Sequence, residues 1–189
     1  MIRDRIVRVA VPPAFMPVSL VDMKEHLRVT GSAEDALITS YTAAAVASLD
    51  VDGELGRAIV TQTIAEALQR PTRDTYLSVS PAQELVSVKY YDTDNIEQTA
   101  DLSDFAIYKS DDWAFVRSDN WPATYDRPDA VTISYTAGFD PAPDDICHAI
   151  KMIVGHWYEH REDATEIKLS EVPRAVGHLI GNRRGGWYG

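Results

Sequence analysis

The chain has 189 residues and a formal net charge of −11, with 45% hydrophobic and 25% charged residues. That balance fits one globular domain, or one domain with a sizeable insertion, and excludes a disordered chain. It also argues against a free-standing nucleic-acid binder, which needs a basic face. No run of about 18 apolar residues offers a membrane span. A single cysteine, Cys147, leaves no internal disulfide and fits a reducing compartment.

In chain order, the opening MIRDRIVRVAVPPAF holds a short apolar run ended by Pro12 and Pro13. It is too short for a secretory h-region of roughly 7–15 residues. The first helix is expected from Ser19, a good N-cap, with Asp22 favouring the positive helix end. Leu20, Met23 and Leu27 repeat at helical spacing, and Thr30-Gly31 supplies the stop. Ser32 is expected to cap a second helix, with Glu34 and Asp35 in its first turn. Its stripe is Leu37, Ile38, Tyr41, Ala44, Ala45, Ser48 and Leu49, and the alanines let another helix come close. Gly53 and Gly56 close this part.

From Ile59 the period changes. IVTQTIAEALQR, TYLSVS, ELVSVKYYD, IEQTA, FAIYK, WAFVR and AVTISYTAG alternate roughly and are split by Pro, Asp, Asn and Gly, which predicts antiparallel hairpins. Within it, residues 92–129 carry ten acids against Lys109, Arg117 and Arg127. After Gly138, Pro143 and Asp144 open a strong helix with Ile146, Ile150, Ile153 and Trp157 as its core stripe. A short helix follows from about Pro173 to Asn182. The predicted fold class is therefore α+β. N-terminal helices in 17–56 and C-terminal helices in 143–182 form a helical core, with an inserted antiparallel β region over 59–138. Residues 183–189 are expected to form a flexible tail on a single domain.

One stretch suggests catalysis. His156-Trp157-Tyr158-Glu159-His160 reads H-x-x-E-H, the zinc signature of one metalloprotease class. The two histidines, at i and i+4, share a helix face. A catalytic zinc also needs a third protein ligand and an open position. Glu162, Glu166 and Glu171 follow, but none lies on a long supporting helix. His156 and His160 fall at the edge of the core stripe, which makes them packing residues at a helix interface. Cys147 and His148, adjacent on a helix, diverge, so Cys147 reads as a buried structural cysteine. Asp92-Thr93-Asp94-Asn95 lacks the glycine and final glutamate of a calcium loop and reads as a hairpin turn. Gly181 to Gly186 is no phosphate loop, since no strand leads into it and no Lys-Ser/Thr follows. No catalytic residue, cofactor or metal is assigned.

Surface features are more informative. Trp113 and Trp157 are expected in hairpin and core packing. Trp187-Tyr188, after Gly185-Gly186, does not suit a core. From Pro173 onward the chain holds Arg174, Arg183 and Arg184 and no acid, so this end suits an acidic neighbour, a second copy of the chain included.

Five stretches, in this order and spacing, carry a resemblance: PVSLVDMKEHLRVTGSAEDALITSYTAAAVASLD, GRAIVTQT, WPATYDRPDAVTISYTAGFD, IKMIVGHWYEHRE and EVPRAVGHLIGNRR. Over residues 17–184 the chain resembles the head–tail connector proteins of long-tailed bacteriophages and phage-like gene transfer agents, also called adaptors or head-completion proteins. In that family the position of His160 is commonly asparagine, a poor zinc ligand. The resemblance implies a structural, non-enzymatic part of the virion neck, assembled in the host bacterial cytoplasm. It implies a helical core with an inserted β region, in a ring of about twelve copies beneath the capsid portal. The ring extends the DNA channel, through which DNA passes without specific binding, and docks the tail or a stopper or terminator protein. By the same implication Arg183, Arg184, Trp187 and Tyr188 contact the portal. Ala44, Ala45, His156 and His160 are candidates for the interface between copies. Two other readings stand beside this one: a zinc-dependent hydrolase using His156, Glu159 and His160, and a β-rich virion binding module built on residues 59–136.

Overall fold

The computed structural model describes residues 5–160 and 174–181. The fold is α+β, with four α-helices and two antiparallel sheets among the described residues. The chain divides into two compact units. One takes the first strand with Thr61–Phe139, and the other takes Phe15–Val60 with Asp140–Arg184.

In the helical unit, α1 spans Leu20–Leu27 and starts at the expected cap: the Ser19 hydroxyl accepts from the Asp22 N–H at 3.1 Å. It stops earlier than Thr30-Gly31. Arg28 turns left-handed at φ 57°, and its N–H closes on Glu25 and Lys24 carbonyls, so a non-glycine residue makes the C-cap. Helix α2, Asp35–Leu49, has Glu34 rather than Ser32 at its N-cap position. Its buried face is Ile38, Thr42, Ala45, Val46 and Leu49. Thr42 is tolerated there because its hydroxyl donates to the Ile38 carbonyl at 2.8 Å. Helix α3, Asp144–Glu159, buries Ile146, Ala149, Ile150, Ile153 and Val154. It packs on α2 and on α4, Arg174–Ile180, whose Val176 and Ile180 are buried. Trp157 is only half-buried and meets Tyr41 of α2 edge-on at 6.2 Å. No helix among the described residues is long and apolar enough to cross a membrane.

In the β unit, the strands are β1 (Arg5–Val11), β2 (Gln62–Leu68), β3 (Asp74–Tyr76), β4 (Ala82–Tyr91), β5 (Glu97–Thr99), β6 (Ala106–Lys109), β7 (Ala114–Arg117) and β8 (Val131–Ala137). Five form one sheet in the order β1-β2-β8-β4-β5, and three form another in the order β3-β7-β6. Strand β8 alternates cleanly, with Val131, Ile133, Tyr135 and Ala137 buried. Facing it in register, β2 places Ile64, Glu66 and Leu68 opposite Tyr135, Ile133 and Val131. The strands are not confined to residues 59–138. RIVRVAV, read from sequence only as an apolar run too short for export, is β1, an edge strand pairing with β2. TYLSVS contributes far less than a full strand, since β3 ends at Tyr76.

Candidate functional site

The H-x-x-E-H residues lie at the end of α3. The His156 and His160 rings are 4.5 Å apart, as their spacing requires. His160 is the C-cap residue of α3 and is exposed, and its Nδ1 donates to the His156 carbonyl at 2.9 Å. His156 is half-buried and His160 exposed, so His160 is not in the packing position expected of it. Among the described residues no group of three His, Cys, Asp or Glu side chains is placed to hold a metal ion. Glu162, Glu166 and Glu171 lie outside the described residues. Cys147 is half-buried, with its thiol against the Pro17 carbonyl at 3.4 Å, and burial raises its pKa above the ordinary thiol value.

A buried ionic arrangement that the sequence reading does not single out centres on Glu66. Glu66 of β2 is 0% exposed. Its carboxylate accepts from Arg5 Nη1 at 2.7 Å, from the Ser78 N–H at 2.9 Å, from Ser78 Oγ at 2.8 Å and from the Tyr135 hydroxyl at 3.3 Å. Arg5 also donates to the Tyr76 carbonyl. The Tyr135 hydroxyl in turn accepts from the Val79 N–H at 3.1 Å. Burial, followed by the neighbouring Glu66 carboxylate, holds the Tyr135 phenol well above its ordinary pKa, so it stays protonated. This carboxylate is saturated with donors and closed to solvent. It is built to hold β1, β2 and the turn after β3 together rather than to meet a substrate. A readable signal existed: Glu66 sits at an inward position of an alternating strand between Ile64 and Leu68.

The acids of residues 92–129 are largely committed to the fold. Asp92 Oδ1 accepts from the Asp94 and Ile96 N–H groups, both at 3.0 Å, and Asn95 takes φ 61°, so this stretch is the hairpin turn expected of it. Asp101 accepts from the Ser103 N–H. Asp119, Asp126 and Asp129 pair with Arg73, Arg70 and Arg127, and Glu97 pairs with Lys89.

The outer face of the three-stranded sheet is open. The register sets Tyr76, Phe115 and Tyr108 side by side across it, with Asp74 opposite Arg117 in the next row. Phe115 lies 5.4 Å from Tyr76, 5.1 Å from Tyr108 and 5.8 Å from Trp113; the last two rings are within 15° and 11° of parallel. Tyr76 is 48%, Tyr108 44% and Trp113 40% exposed. Trp113 thus packs on Phe115 within the β6–β7 hairpin, as expected, while staying partly exposed. The Arg117 guanidinium lies 5.0 Å over the Tyr108 ring and 5.4 Å over Phe115, while two hydrogen bonds at 2.6 and 2.8 Å tie it to Asp74.

Of the two alanines expected between copies, Ala44 is exposed and Ala45 is wholly buried in its own subunit, so of this pair only Ala44 presents surface. Arg183, Arg184, Trp187 and Tyr188 lie outside the described residues.

Comparison with known proteins gives a consistent picture. A comparison with curated proteins finds no match. Among solved structures, the chain is similar to one from the neck of an empty gene transfer agent particle, computed with C6 symmetry. It is 20% identical over 96% of each chain, with a TM-score of 0.77. It is also similar to chains from the virion of a native gene transfer agent particle, at 21% identity, and from the neck of a native particle computed with C12 symmetry, at 20%. Both cover 96% of each chain, with TM-scores of 0.72. A family model described as head completion protein matches residues 18–168. Matched over well more than half of its length, the chain belongs to the head completion protein family.

Proposed function

We propose that this chain is a structural head–tail connector of a phage-type virion neck. The observation that carries the reading is the head completion family match over residues 18–168. The likeness to gene transfer agent neck chains over 96% of both lengths supports it. Copies close into a ring beneath the portal, extend the DNA channel and present a docking surface to the tail or a stopper or terminator protein. The C12 symmetry of the native neck structure favours twelve copies. Ala44, His156 and His160 are the proposed contacts between copies. Arg183, Arg184, Trp187 and Tyr188 are the proposed contacts with the portal. The proposed role is structural rather than enzymatic, in keeping with the head completion family.

The test is the mass of the purified protein by light scattering, alone and mixed with its portal. A ring of about a dozen copies, formed alone or only on the portal, supports the connector reading. A monomer that ignores the portal overturns it. Stoichiometric zinc lost on His160→Asn together with a hydrolytic activity would do the same.

A further inference from the structure

We infer that the outer face of the three-stranded sheet, formed by Tyr76, Tyr108, Trp113 and Phe115, docks an arginine-bearing segment of a partner polypeptide. Three observations converge on this face. First, four aromatic rings lie on one short sheet face, and three of them are 40–48% exposed. Exposed aromatic groups of this kind are the anchors of protein interfaces, and tyrosine and tryptophan lose little conformational entropy on contact. Second, the face already holds a guanidinium: Arg117 stacks over Tyr108 and Phe115 while Asp74 fixes its charge. The rings of Tyr76 and Trp113, on either side, offer further π surface of the same kind. Third, the charge is complementary. Asp111 and Asp112 are exposed in the turn that leads into Trp113, on a chain of net charge −11.

That sign decides the class of partner. Aromatic faces also stack nucleic-acid bases, but single-strand binders pair those rings with a positive groove. Here the one arginine on the face is neutralised by Asp74, and the turn beside it is acidic. An acidic aromatic platform selects a cation. Arginine is favoured over lysine because its planar, weakly hydrated guanidinium stacks on rings and pairs with carboxylates through two bonds at once, as Arg117 does here. The inference does not depend on the connector reading, and its failure leaves the light-scattering test untouched. Within a neck, the partner is a neighbouring protein with an arginine-bearing loop or terminus.

The probes are acetylated hexa-arginine and hexa-lysine peptides, titrated by calorimetry into the full chain at about 150 mM salt, where bare surface charge is screened. The expected result is about a tenfold preference for hexa-arginine. That preference is expected to vanish in Trp113→Ala and in Tyr108→Leu while hexa-lysine binding is unchanged. Tyr108→Leu keeps apolar packing on Phe115, and an unchanged denaturation curve shows that it is folded. Equal affinity for the two peptides, or a preference that survives both substitutions, overturns the proposal. So does binding of oligothymidylate that Trp113→Ala abolishes, which assigns the face to nucleic acid. Concentration-dependent self-association lost in the same variants overturns it too, by assigning the face to a second copy.

Discussion

At the scale of single residues, a costly feature among the described residues is a carboxylate with no access to water. Glu66 exchanges its hydration for Arg5, Ser78 and Tyr135, and removing one partner leaves the rest of the desolvation cost in place. Arg5→Ala is expected to destabilise the protein by about 3 kcal/mol, the low end for breaking a buried pair, because the Arg5 side chain is itself 24% exposed. Tyr135→Phe deletes a long hydrogen bond to Glu66 but also orphans the buried Val79 N–H, for a loss of about 1–2 kcal/mol. Urea denaturation of the two variants and their double tests whether they act as one network. A double-variant loss clearly different from the sum of the singles identifies coupling, and simple additivity refutes it. Half of this was legible in advance. A glutamate between Ile64 and Leu68, at an inward position of an alternating strand, demands a buried cationic or hydroxyl partner. Nothing in the sequence pointed to Arg5, because the register of an N-terminal edge strand against β2 is a long-range choice.

At the scale of elements, local chemistry predicted starts better than stops and helices better than edges. Ser19 caps α1 as its residue type requires, and Ser19→Ala is expected to cost about 1 kcal/mol in the same denaturation assay. The α1 stop was misplaced because Arg28 takes the left-handed conformation that glycine usually supplies. The α2 stripe was displaced because Thr42 and Val46 point inward and Ala44 outward, a rotation set by packing on α3 rather than by composition. Strand β1 was not readable because it is exposed along most of its length and so lacks the alternation that marks a strand. Aspartates in the strands and turns of the β unit carry the pH dependence on the acid side. Asp74, Asp119 and Asp129 are held below the ordinary value of 3.8 mainly by their hydrogen bonds to Arg117, Arg73 and Arg127. Asp92 and Asp101 are held down mainly by the backbone N–H groups of Ile96 and Ser103. Folded values below unfolded ones mean that this stability is complete above pH 3.8 and is lost as pH falls through the lowered values. His26 adds a window at higher pH: burial first, then the charges of Lys151 and His148, lower it from 6.5, so its contribution fades as pH falls below 6.5. The midpoint of thermal unfolding should therefore drop gently below pH 6.5 and steeply below 3.8. Asp74→Asn with Asp129→Asn should start lower at neutral pH and fall less on acidification. An unchanged acid slope in that double variant would show that these arginine-paired carboxylates do not carry the effect.

At the scale of the whole molecule, charge and surface are what the fold offers for reading function, since the buried carboxylate of Glu66 is closed to solvent. The net charge of −11 is not a loose acidic tract: between residues 92 and 129 most carboxylates close turns or meet arginines and lysines. Among the described residues seven lysines and arginines already meet carboxylates, and an acidic chain with cations so engaged releases few counterions from DNA. That property suits the DNA channel proposed above, and it sets a sharp expectation. Duplex DNA should not be retained by the protein in a gel-shift assay even at about 50 mM salt, where a protein making six or more phosphate contacts would bind far more tightly than at physiological salt. Adding portal should change the mass of the protein without changing this result. Deleting residues 182–189 should abolish the mass change and leave the DNA result as it was, since that segment carries Arg183, Arg184, Trp187 and Tyr188 and no acid. If the full chain retains DNA at low salt and the truncated chain does not, the arginines of this end serve phosphate rather than the portal, and the assignment of the C-terminal segment has to be reversed.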